Sequence, residues 1–148
     1  MFTSASEAKT VPQEGISAEE LQGCLQEAGY AARIEQVDGR TTIRSAVVGS
    51  SFAIYLYGPN AGTGRATSVQ FWAGWTLSTP PAAALEAVNE WNQTKRFGKA
   101  YLDRKAGAIV VEMDALVGKG VNRDHLQELA SWWGVLMVEF MGFVRARS

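Results

Sequence analysis

One cysteine and one histidine in 148 residues leave little material for covalent or metal chemistry. Cys24 can form no internal disulfide and has no cysteine partner for a zinc site, which fits a reducing compartment. His125 would have to serve a metal site, or a Ser/His or Cys/His pair, without a second imidazole. Charge of one sign is also missing: 14 basic against 15 acidic side chains give a formal charge of −1. Such a balance offers no electrostatic footprint for DNA, RNA or an anionic membrane. The N-terminal MFTSASEAKTVPQEG lacks the basic start and the apolar run of a signal peptide. It reads as a disordered polar tail over residues 1–15 of a cytoplasmic protein, followed by a single domain over residues 16–148.

What is present is enough for one core, since hydrophobic residues make up 47% of the chain and a domain of this size buries roughly 70% of its unfolded surface. Ser17 and Glu20 form a capping box, and Leu21, Cys24, Leu25 and Ala28 repeat at helical spacing until Gly29. Asp38-Gly39 between two alternating runs predicts a hairpin with Val37 opposite Arg40 and Ile34 opposite Ile43. A second tight turn at Gly49-Ser50 would set Val47 opposite Phe52 and Ser45 opposite Ile54. In both hairpins Ile34, Ile43, Val47, Phe52, Ile54 and Leu56 fall on one face, and Arg33, Glu35, Arg44, Tyr55 and Tyr57 on the other. Thr67 to Leu77 alternates as a fourth strand, with Trp72 on its outer side.

Thr79 is placed to cap a second helix whose buried side carries Leu85, Val88, Asn89 and Asn92. An Ala106-Gly107 turn joins two more strands, with Lys99 opposite Asp114 and Tyr101 opposite Glu112. Asn122 caps a last helix with the core stripe Leu126, Leu129, Ala130, Trp133, Leu136, Met137, Phe140 and Val144. Between Trp132 and Val144 its only charge is Glu139, yet the stretch reads as too short and too interrupted to cross a bilayer. The class is α+β, an antiparallel sheet in the order α-β-β-β-β-α-β-β-α.

Val88-Asn89-Glu90-Trp91-Asn92, Arg96-Phe97-Gly98-Lys99-Ala100-Tyr101-Leu102-Asp103 and Glu112-Met113-Asp114, in that order and spacing, resemble the YbjN family of putative bacterial sensory transduction regulators. The resemblance runs from about Ser17 to Val144. It implies a type III secretion chaperone-like fold and a non-enzymatic, often dimeric domain that binds or regulates other proteins. It carries over no catalytic residue, and Asn89, Trp91, Asn92, Arg96, Phe97, Lys99, Tyr101 and Asp103 read as structural motif positions.

Read for chemistry, the residues are sparse. The Gly58 to Arg65 loop lacks the Gly-Lys-Ser/Thr ending of a phosphate loop and joins two strands. Glu112 and Asp114 share a strand face, the spacing of an acid/base pair, but Lys99 and Lys105 nearby favour a solvated charged face. His125 fits a half-exposed residue beside a cap, and Cys24 an inert buried thiol. No catalytic residue, metal site or cofactor is expected, and the chain is not expected to be an enzyme.

Two apolar excesses remain. Trp132, Val135 and Phe143 lie beside the core stripe of the last helix, and Tyr55, Tyr57 and Trp72 gather near Arg44 on the outer face of the sheet. Either could be covered by another helix, but aromatic and arginine side chains also concentrate at binding hot spots. The sequence therefore points to a chaperone-like or regulatory protein-binding module, a homodimer with an unidentified protein partner, and to neither nucleic acid nor membrane. The alternative is a small-molecule sensor with its pocket between the aromatic sheet face and the Gly58 to Arg65 loop.

Overall fold

The computed structural model describes residues 15–58 and 64–147. Residues 1–14 of the tail expected over residues 1–15, and the middle of the Gly58 to Arg65 loop, lie outside them. Gly15, assigned to the tail, donates its N–H to the Gly118 carbonyl at 3.0 Å.

The capping box forms as the sequence indicates: the Glu20 N–H donates to Ser17 Oγ at 3.0 Å and the Ser17 N–H donates to Glu20 Oε1 at 2.9 Å. The backbone N–H of Ser17 holds the Glu20 carboxyl below its usual range, with Arg65 adding to the effect. Helix α1 (Ala18–Glu27) follows and buries Leu21, Cys24 and Leu25. Ahead of it, β1 (Ile16–Ser17) pairs with β5 (Arg65–Ala66), a two-residue ladder too short to leave an alternation in the sequence.

The remaining strands are β2 (Arg33–Val37), β3 (Arg40–Val47), β4 (Ser50–Tyr57), β6 (Ser68–Thr76), β7 (Lys99–Asp103) and β8 (Ala108–Leu116). They form one antiparallel sheet in the order β2-β3-β4-β6-β8-β7. The first hairpin has the expected register, Val37 with Arg40 and Ile34 with Ile43. In the second, Val47 pairs with Ser50 and Ser45 with Phe52, because the turn is Val48-Gly49 and not Gly49-Ser50. Both turn residues have positive φ, +48° and +80°, the backbone that a two-residue hairpin loop of matching twist requires. The third hairpin is displaced in the same sense, with Lys99 opposite Glu112 and Asp103 opposite Ala108. There Asp103 Oδ1 accepts the Ala106 N–H at 3.1 Å and closes a wider turn. Both displacements move partners by two residues, so every side chain keeps its expected face.

Helix α2 (Pro81–Thr94) begins at Pro80, which makes no side-chain cap bond, so Thr79 does not cap it. Its buried positions are Ala84, Ala87, Val88 and Trp91, and Leu85, Asn89 and Asn92 are exposed. The Trp91 side chain turns the stripe toward the core: Nε1–H donates to the Gly98 carbonyl at 3.0 Å and the ring meets Phe140 edge-on. Helix α3 (Arg123–Ala146) starts as expected, the His125 N–H donating to Asn122 Oδ1 at 2.9 Å. It is longer and less interrupted than the sequence reading allowed, and at 24 residues is long and apolar enough to cross a membrane by length and composition alone. Here its stripe of Leu126, Ala130, Trp133, Leu136, Met137 and Phe140 is buried against Phe52, Phe71 and the other inward residues of the sheet. Ile43, Phe52, Ile54, Val69, Phe71, Val111 and Met113 complete this one core.

Candidate functional site

All three helices bury their stripes on the same side of the sheet, and no described helix packs against the other. The registers build rows of outward side chains across that bare face. Arg33, Arg44, Ala53, Trp72, Glu112 and Lys99 are successive partners across all six strands. Glu35, Thr42, Tyr55, Gln70 and Asp114 make the next row, and Arg40, Tyr57, Ser68 and Leu116 lie beyond Tyr55 and Gln70.

The middle of the face is a low floor. A Cβ at Gly74 would stand 2.9 Å from Cη2 of Trp72, so the indole lies across this glycine. Ala53 and Val110 are fully buried although no helix covers them. Around the floor stand two polar clusters. On one side the Arg40 guanidinium sits 4.1 Å from the Tyr57 ring centre and 5.3 Å from that of Tyr55. Glu35 there bridges Arg33 at 3.3 Å and Arg44 at 3.5 Å.

On the other side is Glu112, which departs from the expected solvated strand face: it is only 6% exposed. Trp72 and Tyr101 flank it, and its carboxylate accepts the Tyr101 hydroxyl at 2.7 Å and Gln70 Nε2 at 3.3 Å and pairs with Lys99 Nζ at 3.4 Å. A buried carboxylate is tolerable only when so many donors replace water. Burial, with the bond to Glu112 second, pushes the Tyr101 phenol up to about 12. Arg40 is the member of this face that the sequence did not single out, and Tyr101, expected only as a structural motif position, stands on it as well. The slipped register explains Arg40: had Val48 paired with Ser51, Arg40 would have faced a residue beyond the strand end instead of Tyr57.

The second candidate surface is only partly bare. Trp132, Val135 and Val138 on α3 are about half exposed. Phe143 is not part of that patch as expected: its ring packs on Trp91 at 5.4 Å and lies beneath the Arg147 guanidinium at 3.6 Å. In its place stands Phe97, 56% exposed, its ring 5.1 Å from Trp132 and 4.8 Å from the Arg96 guanidinium.

Of the remaining motif positions, Trp91, Asn92 and Asp103 hold local structure through hydrogen bonds. Asn92 Nδ2 donates to the Ala100 carbonyl at 3.1 Å and its Oδ1 accepts the Ala100 N–H at 2.9 Å, so one amide satisfies both outward groups of Ala100 on the edge strand β7. Asp103 closes the following turn. Cys24 is buried, which pushes its thiol up, and His125 is exposed in the first turn of α3. Among the described residues no group of three His, Cys, Asp or Glu side chains could hold a metal ion. Two cavities flank α1. One of about 580 Å³ is lined by Glu20, Cys24, Glu27, Arg65 and Arg123. The other, of about 380 Å³, is lined by Ala18, Ile34, Arg40, Leu56 and Tyr57.

Comparison with known proteins places this arrangement. A crystal structure of an uncharacterized protein from Methanothermobacter thermautotrophicus is similar over 89% of this chain and 99% of its own, with a TM-score of 0.58 and 15% identity. At that identity the likeness establishes the fold alone. No curated protein matches the chain. The model of the YbjN family, described as "putative bacterial sensory transduction regulator", matches residues 17–142. That span holds α1, α2, most of α3 and every strand of the large sheet, and by it the chain belongs to the YbjN family.

Proposed function

We propose that the protein is a non-enzymatic, cytoplasmic regulatory module that holds another polypeptide, in a chaperone-like way, on the bare face of its sheet and works as a homodimer. The observation that carries this reading is the grouping of Trp72, Tyr55, Tyr57 and Tyr101 with Arg40 and Arg44 over a floor that no described helix covers. Tryptophan, tyrosine and arginine on an uncovered surface are the residue types that dominate protein interfaces. Glu112 and Asp114 at one end and Arg40 and Arg44 at the other would fix the direction of a bound segment through complementary charge.

The test is affinity capture from the native host with the wild type and with Tyr55→Ser/Trp72→Ser, folding being checked by circular dichroism. A protein enriched on the wild type and lost on the folded double variant supports the reading. Equal recovery on both, or nothing enriched, sinks it.

A second reading is favoured by the cavity of about 380 Å³ between Ala18, Ile34, Arg40, Leu56 and Tyr57, large enough for a small metabolite. It opens beside the helix layer, with Tyr57 and Arg40 as its link to the aromatic face. In this sensor reading a metabolite screen by thermal shift would find a stabilising compound whose effect disappears in Leu56→Arg.

A further inference from the structure

We infer that α3 is the homodimer interface, two copies packing antiparallel along the side of this helix that faces away from the sheet. The inference deepens the homodimer of the functional reading and leaves the sheet face free for a partner. The exposed positions of α3 include Glu128, Ser131, Trp132, Val135, Val138, Gly142 and Arg145. They recur every three or four residues, the spacing of a seam between two helices. The stripe from Glu128 to Arg145 is roughly 26 Å long at the rise of an α-helix.

Its two ends have opposite charge and its middle is apolar. About a two-fold axis midway between Val135 and Val138, Glu128 of one copy faces Arg145 of the other, Ser131 faces Gly142 and Val135 faces Val138, while Trp132 borders the seam and Met141 is turned toward the sheet, its Sδ accepting from Ser50 Oγ. Neither Glu128 nor Arg145 has an ion-pair partner among the described residues. Glu139, the other charge on this side, is held by Lys95 at 3.2 Å and meets no like charge in this pairing. An isologous contact repeats each pair twice, so complementarity at one end is complementarity at both.

Phe97 gives an independent indication. It has a φ of +73° and its ring is 56% exposed. A bulky residue in the left-handed region is strained, and such strain persists where the surroundings or function hold it. Here the strained backbone sets an aromatic ring against Trp132, at the edge of the stripe, where it widens the apolar surface available to a second copy.

The experiment is light scattering of the chain across a dilution series, with Glu128→Arg, Arg145→Glu, the double exchange and Val135→Glu. A dimer is expected for the wild type, with each single charge variant weakened by about tenfold, since two attractive pairs become repulsive. The double exchange restores the wild-type constant to within about threefold, a rescue that misfolding could not produce. Val135→Glu is monomeric. A wild-type monomer at every concentration overturns the inference, as does a dimer unaffected by Val135→Glu or a double exchange no better than either single change. None of these outcomes touches the sheet-face test, which reads a different surface.

Discussion

Single residues carry most of the strain and most of the unmet polarity in this molecule. Val48 is 82% exposed and has a φ of +48°, a conformation that a β-branched residue adopts only at a cost and that asparagine tolerates. Val48→Asn is expected to stabilise the fold by about 0.5–1 kcal/mol, seen as a higher urea midpoint with an unchanged slope. The two fully buried tryptophans differ in one atom's circumstances. Trp91 Nε1–H donates to the Gly98 carbonyl, and Trp133 Nε1–H reaches no acceptor among the described residues. Replacement by phenylalanine removes similar volume at both, but at Trp133 it also removes an orphan donor, whose burial costs about 1–3 kcal/mol. Urea unfolding should therefore find Trp91→Phe the more destabilising, and equal losses would show that Trp133 finds a partner. Tyr101 sets a pH dependence. Its phenol is raised to about 12 from an unfolded value near 10, so the folded form holds the proton longer. The contribution is complete below about pH 10 and is lost as the pH rises toward 12. Absorbance titration at 295 nm should show Tyr101→Phe losing a late step and keeping the earlier ones.

At the scale of elements, alternation and the caps of α1 and α3 were legible, and the start of α2 and most turn geometry were not. Period-two patterns assigned faces correctly to every strand of the large sheet, because a face depends only on parity. Registers depended on which residues form the turn. Asp38-Gly39 announced itself, but Val48-Gly49 hid behind a residue that ordinarily avoids positive φ, and the pairing slipped by two. The slip concealed the Arg40–Tyr57 contact, although Tyr55, Tyr57, Trp72 and Arg44 were already placed on that face. Burial of Glu112 was also illegible, since it results from Trp72 on β6 and Tyr101 on β7 meeting over β8, a strand order that no local pattern encodes. The Val88 to Asp103 motif shows what an element needs at its boundary. β7 is an edge strand, and unpaired edges invite association with other chains. Asn92 closes this one by holding both outward groups of Ala100. Asn92→Ala should cost about 1–2 kcal/mol for two lost bonds. It should also raise the rate of aggregation on mild heating, measured by turbidity, more than an exposed substitution of equal stability elsewhere on α2.

On the scale of the whole molecule, α3 lies between α1 and α2, and surface ion pairs tie it to both: Arg123 to Glu27 at 3.3 Å, and Lys95 to Glu139 at 3.2 Å. These bridges are half exposed, and such pairs contribute about 0–1 kcal/mol each. What binds the layers is Trp133 against Phe52 and Phe71, and Phe140 between Trp75 and Trp91. With a formal charge of −1 the chain also has almost no net self-repulsion for salt to relieve. Unfolding should then be a single transition, the same by tryptophan fluorescence as by far-ultraviolet circular dichroism, because both buried indoles report on one core. Raising sodium chloride from 0.05 to 1 M should move the stability by no more than about 1 kcal/mol, as screening reaches only bridges of small worth. Two resolved transitions would instead mean that the β2–β3 hairpin, farthest in the sheet from β7, unfolds apart from the layer beneath α3. In that case the aromatic face would be divided between two cooperative units, since Arg40 and Arg44 stand on the hairpin and Trp72 and Glu112 on the central strands.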